Sequence, residues 1–208
     1  MIKKYEPQFV EFIKKEMQQD PAHDFNHVAR VVKTAKNLCN DEAAELKIVL
    51  PAAYLHDCFT FPKNHPERAK SSVIAAEKAI HFLSAINYPS AYHHGIKHSI
   101  IAHSFSANIQ PETIEAQVVQ DADRLDALGA IGVSRCLQVS ASFGSALYNS
   151  EEPFAINRDL DDKAYTVDHF YTKLFKLADL MNTHSAKIEA EKRVNFMKLY
   201  LEQLRSEM

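Results

Sequence analysis

Apolar residues in this chain recur at steps of three and four, and nowhere do they alternate with polar ones over the length of a strand. The pattern therefore predicts helices throughout. Glu6 to Gln19 places Phe9, Phe12, Ile13 and Met17 on one face. Asp20-Pro21 breaks that run, with the proline suited to the first turn of the next helix. From about Phe25 to Leu38, residues Val28, Val31, Val32, Ala35 and Leu38 form a second stripe. Asp41 to Leu55 reads as a third helix, which Pro51 divides into two pieces or bends into one kinked rod.

Phe59 to Pro66 is a loop bounded by prolines. Glu67 to Leu83 and Tyr92 to His103 are helical, and Pro111 opens a helix to about Leu128, where Gly129 and Gly132 loosen or end it. Gly144 to Lys163 carries Asn149, Pro153, Asn157 and several acids, and reads as an irregular loop. A loop that long inside a compact domain is often functional or mobile. From about Val167 to Glu207 the helical pattern returns, with Phe170, Leu174, Leu177, Met181 and Ile188 expected in the core. The fold class expected is all-α, with the C-terminal helices packed back on the rest.

Composition narrows the function. At 208 residues the chain is long enough to bury a core without staples. Only 4 glycines argue against turn-rich β architecture and against glycine-rich phosphate loops. A net charge of -3, with no block of like charge, gives no electrostatic case for a nucleic-acid groove. The 3 cysteines, Cys39, Cys58 and Cys136, are odd in number and widely spaced, which is neither a disulfide framework nor a zinc ribbon. No apolar run approaches the roughly 20 residues of a membrane span, and no signal-peptide core follows the charged N-terminus. A cytoplasmic location is expected.

Three segments carry candidate chemistry. His56 and Asp57 end an apolar helix, with the small Ala52 and Ala53 one turn earlier leaving room beside them. His27 borders the stripe of its own helix, in Ala22-His-Asp-Phe-Asn-His27-Val-Ala-Arg30, with Arg30 one turn on. Asp121, Asp123 and Asp126 sit with Arg124 in a helix otherwise built of Ala, Val and Leu. Carboxylates in such a helix need a cation, a metal or full hydrogen bonding. The helical wheel does not choose between Asp121, which falls with Ile114, Val118 and Leu125, and Asp123, which falls with Ala116, Val119 and Ala127.

Taken together, His27, His56-Asp57 and the Ala122-Asp123-Arg124-Leu125 segment resemble the H…HD…D pattern of the HD-domain phosphohydrolase superfamily. The tail from Asp168 to Arg193 is similar to that of a small single-domain bacterial branch, some of whose members act on nucleotides. The resemblance implies one HD-type domain over residues 1–208, with a metal core at about 20–130, a loop at 144–164 and C-terminal helices at 165–208. It implies metal ligands at His27, His56, Asp57 and Asp123, with Asp121 held in reserve. Two imidazoles and two carboxylates suit Mn, Ni, Co, Fe or Zn better than Mg. Such an ion lowers the pKa of its bound water, so a metal-bound hydroxide serves as nucleophile without any protein nucleophile.

The same resemblance turns a histidine between the second and last ligands toward substrate. Ile100, Ile101 and Phe105 point to His103, with Asp57 and His103 as the catalytic residues. Arg30, Lys63, His98 and Arg124 are the substrate-binding candidates, with a solvated side chain as the other explanation of Arg30 and Lys63, an exposed helix position that of His98 and an ion pair that of Arg124. His169 and Lys173, one turn apart in the tail, are ambiguous in the same way. The expected activity is hydrolysis of a phosphate ester or anhydride, in a small-molecule substrate of nucleotide type, with no nucleic acid or membrane partner. The alternative is a non-catalytic helical module that binds metal or nucleotide for regulation. Apolar residues in the C-terminal helices are compatible with a homodimer.

Overall fold

The computed structural model describes residues 2–17, 24–62, 65–104 and 107–208. Helices supply their regular structure, and among the described residues no strand forms beyond an isolated parallel bridge between Ala146 and Tyr165. No helix among them is long and apolar enough to cross a membrane. The chain divides into two compact units, Met1–Asp123 and Arg124–Met208.

The first unit contains α1 (Glu6–Glu16), α2 (Phe25–Asp41), α3 (Leu46–Leu55), α4 (Ser71–Ala85), α5 (His93–His103) and most of α6 (Ile114–Leu125). α1 is fastened by its apolar stripe. Phe9 is fully buried and meets the rings of Tyr54, Phe82 and Tyr88, and Phe12 stacks on Phe82 at 3.9 Å. Such aromatic pairs add about 0.5–1.5 kcal/mol each beyond the area they bury. Glu6, in the first turn, accepts hydrogen bonds from Lys36 Nζ at 2.8 Å and from the Tyr54 hydroxyl at 3.1 Å. The expected end of this helix at Gln19 and the Asp20-Pro21 break lie outside the described residues.

α3 is the central helix, buried at every position from Val49 to Leu55 and packed against α1, α2 and α5. A helix apolar on all sides belongs inside. Pro51 neither ends nor divides it. Proline lacks the N–H that would bond the Lys47 carbonyl one turn back. The Tyr88 hydroxyl donates to that carbonyl instead, at 2.6 Å. The third helix is also shorter than expected at its start: α2 continues to Asp41, Ala43 turns the chain at φ 53°, and α3 begins at Leu46. α6 starts at Ile114 after Thr113, whose hydroxyl accepts from Ala116 N, and Gln120 Nε2 ties it to α5 by donating to Ala102 O at 2.6 Å.

The helix expected to end near the glycines does so, α6 stopping at Leu125, and in the second unit a new helix, α7 (Gly129–Ser142), starts at the first of them. Gly129 turns the chain at φ +72°, and a Cβ on Gly132 would lie 2.2 Å from the Ala127 carbonyl oxygen. Both glycines are thus required by a tight junction, a role that periodicity does not reveal. The C-terminal helical stretch is divided: α8 (Thr166–His169) leads through a π-helical turn (Phe170–Leu174) into α9 (Phe175–Asp179). After a break, α10 (His184–Ser206) follows, capped by Thr183. Phe170, Leu174, Leu177 and Met181 are buried as expected, but Ile188 is 44% exposed. The buried stripe of α10 is Ala186, Ala190, Val194, Met197 and Leu201, which leaves Ile188 on another face.

The stretch before α8 is irregular, as expected, yet closely bonded. Asp168, fully buried, accepts from Arg158 Nη1 at 2.6 Å and Nη2 at 2.8 Å, and from Asp161 N at 2.7 Å. Arg158 Nε also donates to Glu152 O, and its guanidinium lies 4.8 Å from the Tyr165 ring centroid. Asn149 Oδ1 accepts from Glu151 N and Glu152 N.

Candidate metal centre

Helix ends in the first unit carry the chemistry. His27 is the third residue of α2, His56 directly follows α3, His103 closes α5, and Asp123 lies in the last turn of α6. The Nε2 atoms of His27 and His56 stand 3.3 Å apart. Asp57 Oδ2 lies 3.7 Å from the first and 3.5 Å from the second. Asp123 Oδ1 lies 3.4 Å and 3.8 Å from the same two nitrogens. His103 Nε2 approaches the other oxygen of Asp57, Oδ1, at 3.7 Å. Both paired histidines are 1% exposed, whereas the side chains of Asp57 and Asp123 are 16% and 28% exposed. The cluster is therefore sealed on its imidazole side and opens to solvent past its carboxylates.

The ring orientations are set by backbone. His56 Nδ1 faces Ala53 O at 2.9 Å, and His103 Nδ1 faces Ile100 O at 2.5 Å. A carbonyl oxygen only accepts, so each Nδ1 carries a proton, and a neutral His56 presents a lone pair at Nε2. At His56 that lone pair is aimed at a second imidazole nitrogen and two carboxylate oxygens, all acceptors unless protonated. Acceptors brought together in a buried place call for a cation. His27, His56 and Asp57 each offer a ligand atom within 4.8 Å of the others. With Asp123 the set has two nitrogens and two oxygens, suited to a first-row divalent ion.

Burial pulls the His56 imidazole below its ordinary value and outweighs the opposing pull of Asp57. Burial would also lower His103, but the neighbouring Asp57 and then Asp123 raise it above the ordinary histidine value. For Asp123, burial works upward, yet the His27 hydrogen bond and the charges of His56, His27 and His103 hold the carboxyl well below the usual range.

Asp121 is fully buried one turn before Leu125. Arg30 is half-buried on α2 and contributes to lowering the Asp24 carboxyl. His98 lies about 140° around α5 from His103, and its Nε2 accepts from Glu112 N at 3.0 Å. Arg124 Nη1 donates to Leu180 O at 2.5 Å. Lys63 lies outside the described residues. In the second unit His169 Nδ1 pairs with Asp162 Oδ2 at 3.0 Å.

Sequence reasoning passed over two features. Asp24 caps α2, its Oδ1 accepting from His27 N at 2.8 Å, and an Asp directly before the helical stretch that begins at Phe25 was the available signal. Described residues on either side of positions 63–64 also bond to one another and to α4. The Phe61 ring stacks on His65 at 4.1 Å, Phe61 N donates to Ser71 Oγ, and Arg68 Nη1 donates to Phe61 O.

Comparison with known proteins finds relatives along most of the chain. The Bacillus subtilis protein YpgQ is 33% identical over 190 residues, which span 91% of this chain and 86% of YpgQ. The crystal structure of YpgQ in complex with ADP matches with a TM-score of 0.76 at 31% identity, covering 97% of each chain. A crystal structure of an HD-superfamily hydrolase from Bacillus thuringiensis matches with a TM-score of 0.77 at 32% identity, covering 100% of this chain and 98% of the other. Residues 24–128 match the family model of the HD domain, a span that contains every residue of the cluster. This chain belongs to the HD-domain family.

Proposed function

We propose that the chain is a metal-dependent phosphohydrolase that cleaves a phosphate ester or anhydride of a nucleotide. The observation that carries this reading is the convergence of His27, His56, Asp57 and Asp123 on one buried point. These four residues are the proposed metal ligands, and Mn, Ni, Co, Fe or Zn fits them better than Mg. A divalent ion held there supplies Lewis acidity toward a phosphoryl oxygen and acidifies water. The nucleotide class is supported by the YpgQ complex with ADP, as a property of a related protein.

The chain's own residues supply orientation and protons. His56 is fixed by Ala53 O and His103 by Ile100 O, so neither ring turns freely. Asp57 offers Oδ2 to the paired histidines and Oδ1 to His103, and so links the proposed metal set to the catalytic imidazole. The neighbouring carboxylates raise His103 above the ordinary histidine value, which favours the protonated ring as a donor to a departing or phosphoryl oxygen. Arg30 and Lys63 are the proposed cations for substrate phosphate. His98 and Arg124 are weaker candidates, because Glu112 N and Leu180 O already engage them.

Two measurements test the proposal together: elemental analysis of the purified protein, and a turnover screen over nucleotides with Mn, Mg, Co and Ni in parallel. Bound transition metal with release of phosphate or pyrophosphate supports it. Bound metal with no turnover across the panel would favour the regulatory module instead. Undiminished turnover in His56→Ala and Asp57→Ala would remove the assigned site.

A further inference from the structure

The cluster is assembled from helix ends, the parts of a helix that fray first. His56 and His103 each have a local remedy, a ring N–H held by a carbonyl three residues back. His27 sits in the first turn of α2, where backbone N–H groups lack helical partners. Its backbone is held by a side chain. The chain enters extended at Asp24, with φ -119° and ψ 176°, and turns helical at Phe25. Asp24 Oδ1 accepts from His27 N at 2.8 Å, while Oδ2 accepts from Asn26 Nδ2 at 2.7 Å. One carboxylate therefore binds the backbone of His27 directly and is itself held by the residue between them.

On the reading of His27 as a metal ligand, we propose that Asp24 is a positioning residue for the metal centre, fixing where α2 begins and thereby where His27 Nε2 points. An ordinary N-cap adds to helix stability wherever it lies. This one sets the backbone of a residue whose ring nitrogen must stay within about 2–2.5 Å of a shared cation to ligate it. Without the cap, α2 can start a residue or two later. His27 then lies in frayed chain, and its ring leaves the 3.3 Å approach to His56. The Asp24 carboxylate works through the hydrogen bond to a backbone N–H, so another capping side chain can replace it.

The test measures binding of Mn(II) or Co(II) alone to the full chain by calorimetry, and the Co(II) visible spectrum. Asp24→Ala should bind about 10–100-fold more weakly, the range that outer partners of metal ligands usually command, with an altered Co(II) band. Asp24→Asn or Asp24→Ser, which cap as well as Asp, should restore affinity to within a few-fold. Thr183→Ala removes a cap of the same kind from α10, where Thr183 Oγ1 accepts from Ala186 N. It should leave affinity and spectrum unchanged although it too lowers the melting temperature. Affinity within twofold of wild type in Asp24→Ala, or no recovery in either replacement, would overturn the proposal. His56→Ala run beside them separates two failures. If it loses metal and Asp24→Ala does not, only the role of Asp24 falls. If it keeps metal, the ligand reading falls and this role with it.

Discussion

His27 and His56, separated by 29 residues in the chain, face each other nitrogen to nitrogen at 3.3 Å, each 1% exposed. Burial leaves both rings little access to solvent, and a proton on both would set like charges against each other in low dielectric. A divalent ion relieves that conflict, so it should bind the folded chain and not the unfolded one. At a free ion concentration of about 100 times Kd the gain is about 2.7 kcal/mol. For a chain of this size that corresponds to about 5–10 °C in melting temperature. Thermal unfolding with Mn(II) and then with excess chelator checks this. His56→Ala should abolish the metal-dependent increment, and an increment that survives would place the ion elsewhere.

Asp123 should matter to metal and Asp121 should not. Asp123 Oδ1 lies 3.4 Å from His27 Nε2, whereas Asp121 is fully buried one helical turn from Leu125. Asp123→Asn is expected to weaken Mn(II) binding by more than about 100-fold, beyond the loss usual for an outer partner. Asp121→Asn should lower stability and leave metal affinity within a few-fold. The reverse ranking in calorimetric titrations would move the fourth ligand to Asp121.

The all-helical class and most helix positions were legible because apolar spacing reports which face is buried. Motif order brought the histidines and Asp57 to notice for a related reason: titratable groups inside apolar helices are costly without a partner. Junctions were less legible. Pro51 left two pieces or one kinked rod open; the structure has one helix, and the Lys47 carbonyl that the proline leaves unbonded accepts from the Tyr88 hydroxyl, a partner 41 residues away. Gly129 and Gly132 marked where a helix stops, but periodicity could not show that another starts there, or a carbonyl 2.2 Å from a position where a Cβ would stand. Choosing between Asp121 and Asp123 needed family likeness, since both fall on apolar faces of α6.

His103 separates two roles through pH. A protonated imidazole has no lone pair for a metal, so affinity falls as ligating histidines titrate. Burial lowers His56, so its loss should begin below the ordinary histidine value of about 6.5. His103 is shifted the other way, so if it ligated, affinity would already fall above that value. Mn(II) affinity is expected to hold from about pH 8 to 7 and to fall below about 6.5. A fall starting above pH 7 that disappears in His103→Ala would make His103 a ligand. His103→Ala should cut kcat by about 10²–10⁴-fold, the usual weight of a general acid or base, with metal affinity nearly unchanged.

Arg158 and Asp168 should prove structural. Both guanidinium Nη atoms bond the carboxylate, which is fully buried and also accepts from Asp161 N. Removing one member of such a pair strands the other, which costs more than removing both. Arg158→Ala should therefore destabilise the chain more than Arg158→Ala with Asp168→Ala, and Arg158→Lys should recover little, because an ammonium cannot bond both oxygens in parallel. A double-mutant cycle in urea measures the coupling. The irregular segment from Asn149 to Lys163 hangs on this pair through Glu152 O, Asp161 N and the Tyr165 ring. In Arg158→Ala its amides should lose protection in hydrogen exchange, whereas the affinity for Mn(II) alone should stay within twofold. Additive effects in the cycle, or protection that does not change, would show the segment to be held by other contacts.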